Sequence, residues 1–132
     1  MPRVTPRSSV SINPRPEGGG LAVSRRISTA DTNTAVVKAS AGQLYGWYLT
    51  NVGATPVYLK IYDKATAPTL ASDTPVLTLL IPGDSAGAGA NAEFTNGITF
   101  ENGISIAITG AVADDDETAI AADEVVTNLL YL

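Results

Sequence analysis

Apolar and polar residues alternate most clearly between Phe94 and Gly110, FTNGITFENGISIAITG. Ile104, Ile106 and Ile108 alternate with Ser105, Ala107 and Thr109, a period of two that marks a strand with one buried face. Ile98 and Phe100 flank Thr99 in the same way. Two Asn-Gly pairs punctuate the stretch, Asn96-Gly97 and Asn102-Gly103. A type I′ turn needs φ > 0 at both central residues, and Asn-Gly tolerates that best. The segment therefore predicts a hairpin whose apolar face needs a second sheet to cover it.

The same pattern recurs along the chain. Thr34 to Ala39 reads as a short strand. Gln43 to Val52 reads as a longer one, with Tyr45, Trp47 and Leu49 on one face and Leu44, Tyr48 and Thr50 on the other. Asn51 to Pro56 is a turn. In Val57 to Tyr62, Val57, Leu59 and Ile61 face inward and Tyr58, Lys60 and Tyr62 outward. Asp63 to Thr74 reads as a long connection crossing between sheets. Pro75 to Pro82 is a proline-bracketed strand, and Gly83 to Ala92 an exposed loop. Gly110 to Glu124 is the one stretch suited to a helical turn. Glu124 to Leu132 is apolar on both faces, as expected for a central or covered strand. Seven or eight short strands separated by turn signals predict an all-β, antiparallel β-sandwich of jelly-roll type.

Residues 1–31 break the pattern. Pro2, Pro6, Pro14 and Pro16 oppose helix and central strand alike, and Gly18 to Gly20 add flexibility. With so few apolar residues the segment reads as an extended N-terminal arm, ordered when a partner holds it. The sandwich domain is expected over residues 32–132. Charge divides at the same place. The arm carries Arg3, Arg7, Arg15, Arg25 and Arg26 against Glu17 and Asp31, a net +3. The body carries three lysines against eleven carboxylates, a net −8. A basic arm on an acidic body bears on partners rather than on fold.

Composition narrows the chemistry. Without cysteine there is no disulfide framework, thiolate metal site or redox role, and without histidine the commonest general base and metal ligand are missing. No apolar run reaches 18 residues and no apolar signal core follows the N-terminus, so neither a membrane span nor a secretory leader is expected. Asp114, Asp115, Asp116 and Glu117 offer oxygen ligands for Ca²⁺, but they lack EF-hand spacing and read as a solvated loop. Gly83 to Gly87 lacks a nucleophile elbow, and Gly18 to Gly20 lacks the lysine of a phosphate loop. No catalytic residue, cofactor or metal is therefore expected. The aromatic stripe Tyr45, Trp47, Tyr48, Tyr58 and Tyr62 suits stacking on sugars or bases, or a core with an interface behind it. Trp47 is assigned to the core and Tyr58 and Tyr62 to a subunit interface. The five arm arginines are too sparse for nucleic acid, and an acidic protein surface is their expected partner.

The run Tyr62-Asp63-Lys64-Ala65, Ala67-Pro68, Asp73-Thr74-Pro75-Val76, Ile81-Pro82 and Gly97 to Gly110 resembles a group of small β-sandwich virion proteins of tailed bacteriophages. The resemblance spans roughly residues 34–132 and leaves the arm outside. Members look like head decoration (cement) proteins or small tail and fibre components. The resemblance implies a non-enzymatic virion protein made in the host cytoplasm and carried on the capsid surface. Its expected form is a homo-oligomer, a trimer first, partnered by the major capsid protein or another virion protein. A tail, neck or fibre part is the alternative within that class. A carbohydrate-binding sandwich for host attachment is the alternative outside it.

Overall fold

A computed structural model describes residues 20–132. Arg3, Arg7 and Arg15 lie outside the described residues. Those residues form strands and turns, with no helix among them. The strands are β1 (Ala22–Ile27), β2 (Ala35–Lys38), β3 (Gly42–Asn51), β4 (Val57–Asp63), β5 (Leu77–Ile81), β6 (Ala88–Phe100), β7 (Ile104–Thr109) and β8 (Val125–Tyr131). Sheet I has the order β1-β8-β3-β6 and sheet II the order β2-β7-β4-β5, with every pairing antiparallel. The first strand pairs with the last, the second with the seventh, the third with the sixth and the fourth with the fifth. A folded ribbon wound this way is a jelly roll.

The core fills the space between the sheets. Sheet II contributes Leu59, Ile61, Ile104 and Ile106, and sheet I contributes Leu44, Leu49, Val125 and Leu129, all fully buried. The Trp47 and Phe94 rings pack at 5.2 Å with planes tilted by 60°. That spacing and tilt suit an aromatic pair.

Several local readings change once the sheets are in place. The strands β6 and β7 do not form a hairpin, because β6 lies in sheet I and β7 in sheet II. Glu101 to Gly103 is a corner between sheets. It is held by Asp63, whose carboxylate accepts the backbone N–H groups of Glu101 (3.2 Å), Asn102 (2.8 Å) and Gly103 (3.3 Å). Neither Asn102 nor Gly103 has positive φ. The other pair, Asn96-Gly97, sits inside β6 as a bulge, with Gly97 at φ 76° beneath the Tyr45 ring. Opposite it, Tyr45 is an extra residue on β3. One inserted residue reverses the alternation, so Leu44 joins Trp47 and Leu49 in the core.

Residues 64–76 join two neighbouring strands of sheet II and do not cross between sheets. The expected exposed loop at 83–92 ends where β6 begins at Ala88. The expected arm also overlaps the domain: β1 pairs along its whole length with β8, so the sandwich reaches back to Ala22.

The two sheets differ on their outward faces. The outer face of sheet II is roofed by its own loops, which leaves Lys60, Tyr62, Ser105, Ala107 and Thr109 buried. Tyr62 packs with Leu70 from the 64–76 loop, and Lys60 donates to the Ala113 carbonyl from the 110–124 loop. Among the described residues, no loop roofs the outer face of sheet I.

Candidate partner-binding surface

Among the described residues, the strand β1 is paired on one side only. Just beyond it, Ser28 N–H donates to the Val125 carbonyl at 2.8 Å. Antiparallel alternation then bonds Ala22, Ser24 and Arg26 to β8 and turns the N–H and C=O groups of Val23, Arg25 and Ile27 to the free edge. Val23 and Ile27 are 57% and 43% exposed. The strand is locked at its end by the buried Ser28 hydroxyl. That hydroxyl donates to Ala121 O (2.9 Å) and accepts from the N–H groups of Glu124 and Val125 (3.1 Å each).

After Ser28 the chain turns on itself. Asp31 accepts the Asn33 N–H (2.6 Å) and Asn33 accepts the Thr29 N–H (2.8 Å), with Asn33 in the left-handed region at φ 52°. This turn and the end of β1 enclose a polar cleft of about 400 Å³, walled by Arg25, Arg26 and Asp31.

The open face of sheet I is defined by register. One row across the strands reads Arg25, Asn128, Tyr48, Asn91. A second reads Val23, Leu130, Gly46, Glu93, and a third Ile27, Val126, Thr50, Gly89. Hydrogen bonding to the Glu93 carboxylate, slight burial and the Glu93 charge together raise the Tyr48 hydroxyl above the ordinary tyrosine pKa.

The arginines and tyrosines singled out in the sequence do not converge. Arg25 and Arg26 stand together on β1 in sheet I. Tyr58 is half-buried in sheet II and lines a separate cleft of about 510 Å³ with Thr118, Ile120 and Glu124. Tyr62 presents no surface for a partner, being 1% exposed. Its hydroxyl has no hydrogen-bond partner among the described residues. Burial, then the charges of Asp114 and Asp73, push its pKa up to about 12.

Within the acidic cluster, Asp116 organises its own loop. It accepts from Ala111 N–H (3.1 Å), Thr118 N–H (3.1 Å) and the Thr118 hydroxyl (2.7 Å). Burial raises its pKa, but these bonds and the nearby Lys60 charge outweigh burial and hold it below the usual aspartate value. Among the described residues no group of three or more acidic side chains is arranged to hold a metal.

Sequence reasoning passed over Asn91, Glu93 and Asn128. The outward phase of Tyr48 was legible in the alternation of β3. Its neighbours on that face come from β6 and β8, far along the chain, and only the register brings them together. No family model matches the chain, and neither a curated protein nor a solved structure matches it.

Proposed function

We propose that this chain is a non-enzymatic structural protein of a tailed-phage virion, a decoration (cement) protein that clamps neighbouring shell subunits on the outside of the head. One observation carries the reading. The basic N-terminal segment leads in sequence into β1, which among the described residues is an edge strand with unpaired backbone groups beside Arg25 and Arg26. An exposed edge is a template for another chain's strand, and an extended peptide adds to it by main-chain hydrogen bonds. Arginine beside that edge selects a partner strand with carboxylates, through charge-assisted contacts. The sandwich from Ala22 onward carries a net −7 and gains little from an acidic shell surface, so attachment falls to the arm and β1. Binding the assembled shell in preference to free subunits stabilises it by mass action. The working form is an oligomer, expected as a trimer.

The test is co-sedimentation with particles that lack this protein, across a salt series. Removing residues 1–19 leaves β1 and Ser28 intact, so the truncated sandwich is expected to fold. It is expected to bind much more weakly than the full chain, with the difference largest at low salt, where charge attraction is least screened. Equal binding by both forms at every salt concentration refutes the clamp. Hundreds of copies per head support decoration, whereas a few copies at one vertex place the chain in the tail or neck.

A further inference from the structure

On the open face of sheet I, the polar row crosses all four strands at its middle. We infer that the row Arg25–Asn128–Tyr48–Asn91, with Glu93 beside it, is a binding site for an extended neutral oligosaccharide. This inference does not rest on the virion reading, since attachment there uses the β1 edge and the N-terminal segment.

The two amide side chains of the row are set before any ligand arrives. Asn128 Nδ2 donates to the Tyr48 carbonyl at 3.1 Å, which leaves the amide oxygen and one N–H unused. Asn91 Oδ1 accepts the Leu49 N–H at 3.3 Å, which leaves its NH₂ group free. Glu93 stands opposite Gly46, diagonally across from Tyr48 on the same face. Side chains already fixed lose little entropy on binding.

Tyr48 is 38% exposed on a central strand. Along β3 its surroundings on this face are low, with Gly46 and Thr50 on the strand and Gly89 opposite Thr50, while Leu130 and Val126 of β8 border the other side. A Cβ at Gly46 or Gly89 would meet the Ala92 or Leu49 carbonyl at about 2.5 Å. These positions therefore stay bare and the floor beside the ring stays flat.

This chemistry selects one ligand class. A pyranose offers an apolar C–H face to an aromatic ring and a rim of hydroxyls that both donate and accept. The amides and carboxylate around Tyr48 supply both acceptors and donors. An apolar ligand would bury them unpaired, at a cost in affinity. Arg25 at one margin and Glu93 at the other offset each other, so the row is neutral. A polyanion is opposed by Glu93 and by the negative body. Four strands spaced about 4.8 Å apart give a run of roughly 14 Å, which suits a short extended glycan lying across the strands.

The experiment is an NMR titration of the full-length ¹⁵N-labelled chain with cellotetraose, chitotetraose and mannotetraose, with a sulfated oligosaccharide as the anionic control. At least one neutral sugar is expected to give saturable shifts confined to β3, β6 and β8, including the Asn91 and Asn128 side-chain NH₂ signals. Tyr48 is exposed, so Tyr48→Ala is expected to melt like the parent and to bind roughly tenfold more weakly, the size of one lost stacking contact. Tyr48→Phe keeps the ring and is expected to keep most of the affinity. The inference is overturned if none of the neutral sugars moves these signals, if the sulfated sugar binds more tightly, or if Tyr48→Ala binds like the parent. It is equally overturned if sedimentation shows a second copy covering this face with Tyr48 buried.

Discussion

Lys60 offers the most demanding check on the packing described above. It sits on β4 with no solvent exposure, under the loop that carries Ala113. Its ammonium group has three donors. The acceptor found for them among the described residues is the Ala113 carbonyl, and Asp116 lies near enough to feel the Lys60 charge without forming an ion pair with it; the ion pair found among the described residues joins Lys64 to Asp73. An ammonium taken out of water costs several kcal/mol, and one carbonyl with an unbonded carboxylate nearby offsets only part of that. Methionine keeps the unbranched stem and removes the charge. Lys60→Met leaves the Ala113 carbonyl without its partner, a loss of about 1–3 kcal/mol, against removal of the larger desolvation term. The expected balance is a gain of about 1–2 kcal/mol. For a domain of this size that is a rise in Tm of roughly 3–10 °C. Lys60→Ala discards the stem as well and is expected to lose about 2–4 kcal/mol through the cavity. Thermal and urea denaturation followed by circular dichroism read both variants. A Lys60→Met protein that melts below the parent, with an unchanged urea slope, would refute the reasoning and show that the amine is well paired.

Other expectations follow from the same packing. Ile106 is fully buried between the sheets, so Ile106→Asp places a carboxylate in the core at a cost of several kcal/mol, against a total stability of about 5–15 kcal/mol. It is expected to prevent folding, and a soluble, cooperatively melting variant would show that the strand faces are misassigned. The Tyr62 hydroxyl titrates near 10 when unfolded and about 12 when folded, so the folded state holds more protons between those values and stability falls as pH rises through them. Tyr62→Phe is expected to flatten that alkaline limb and to leave the melt at neutral pH unchanged or higher; an unaltered alkaline limb counts against the buried hydroxyl. At the acid end the sign reverses. Asp63 is held below its usual value mainly by the Asn102 N–H, and Asp73 mainly by Lys64, so their contribution is present above pH 3.8 and is lost as pH falls through the lowered values.

The sequence by itself determined which residues make strands and, mostly, which way they face. Val57, Leu59 and Ile61, or Ile104, Ile106 and Ile108, carry that information locally, because a period of two is a property of neighbouring residues. The sequence also showed the charge division and the outward phase of Tyr48. Tertiary structure alone decided the rest, because pairing partners lie far apart in the chain. Residues 22–27 look like a continuation of the arm, with two arginines and exposed Val23 and Ile27; what makes them a strand is β8, at the opposite end of the chain. Asn102-Gly103 carries a hairpin signal, yet the ribbon turns a corner there and Asp63 supplies the hydrogen bonds that define it. Tyr62 and Lys60 alternate as outward residues, and a loop roof buries them. The site on sheet I belongs to this second kind of information. Each of its residues looks like an ordinary surface position until antiparallel register sets Arg25, Asn128, Tyr48 and Asn91 side by side, since neighbours across a sheet are chosen by strand order rather than by distance along the chain.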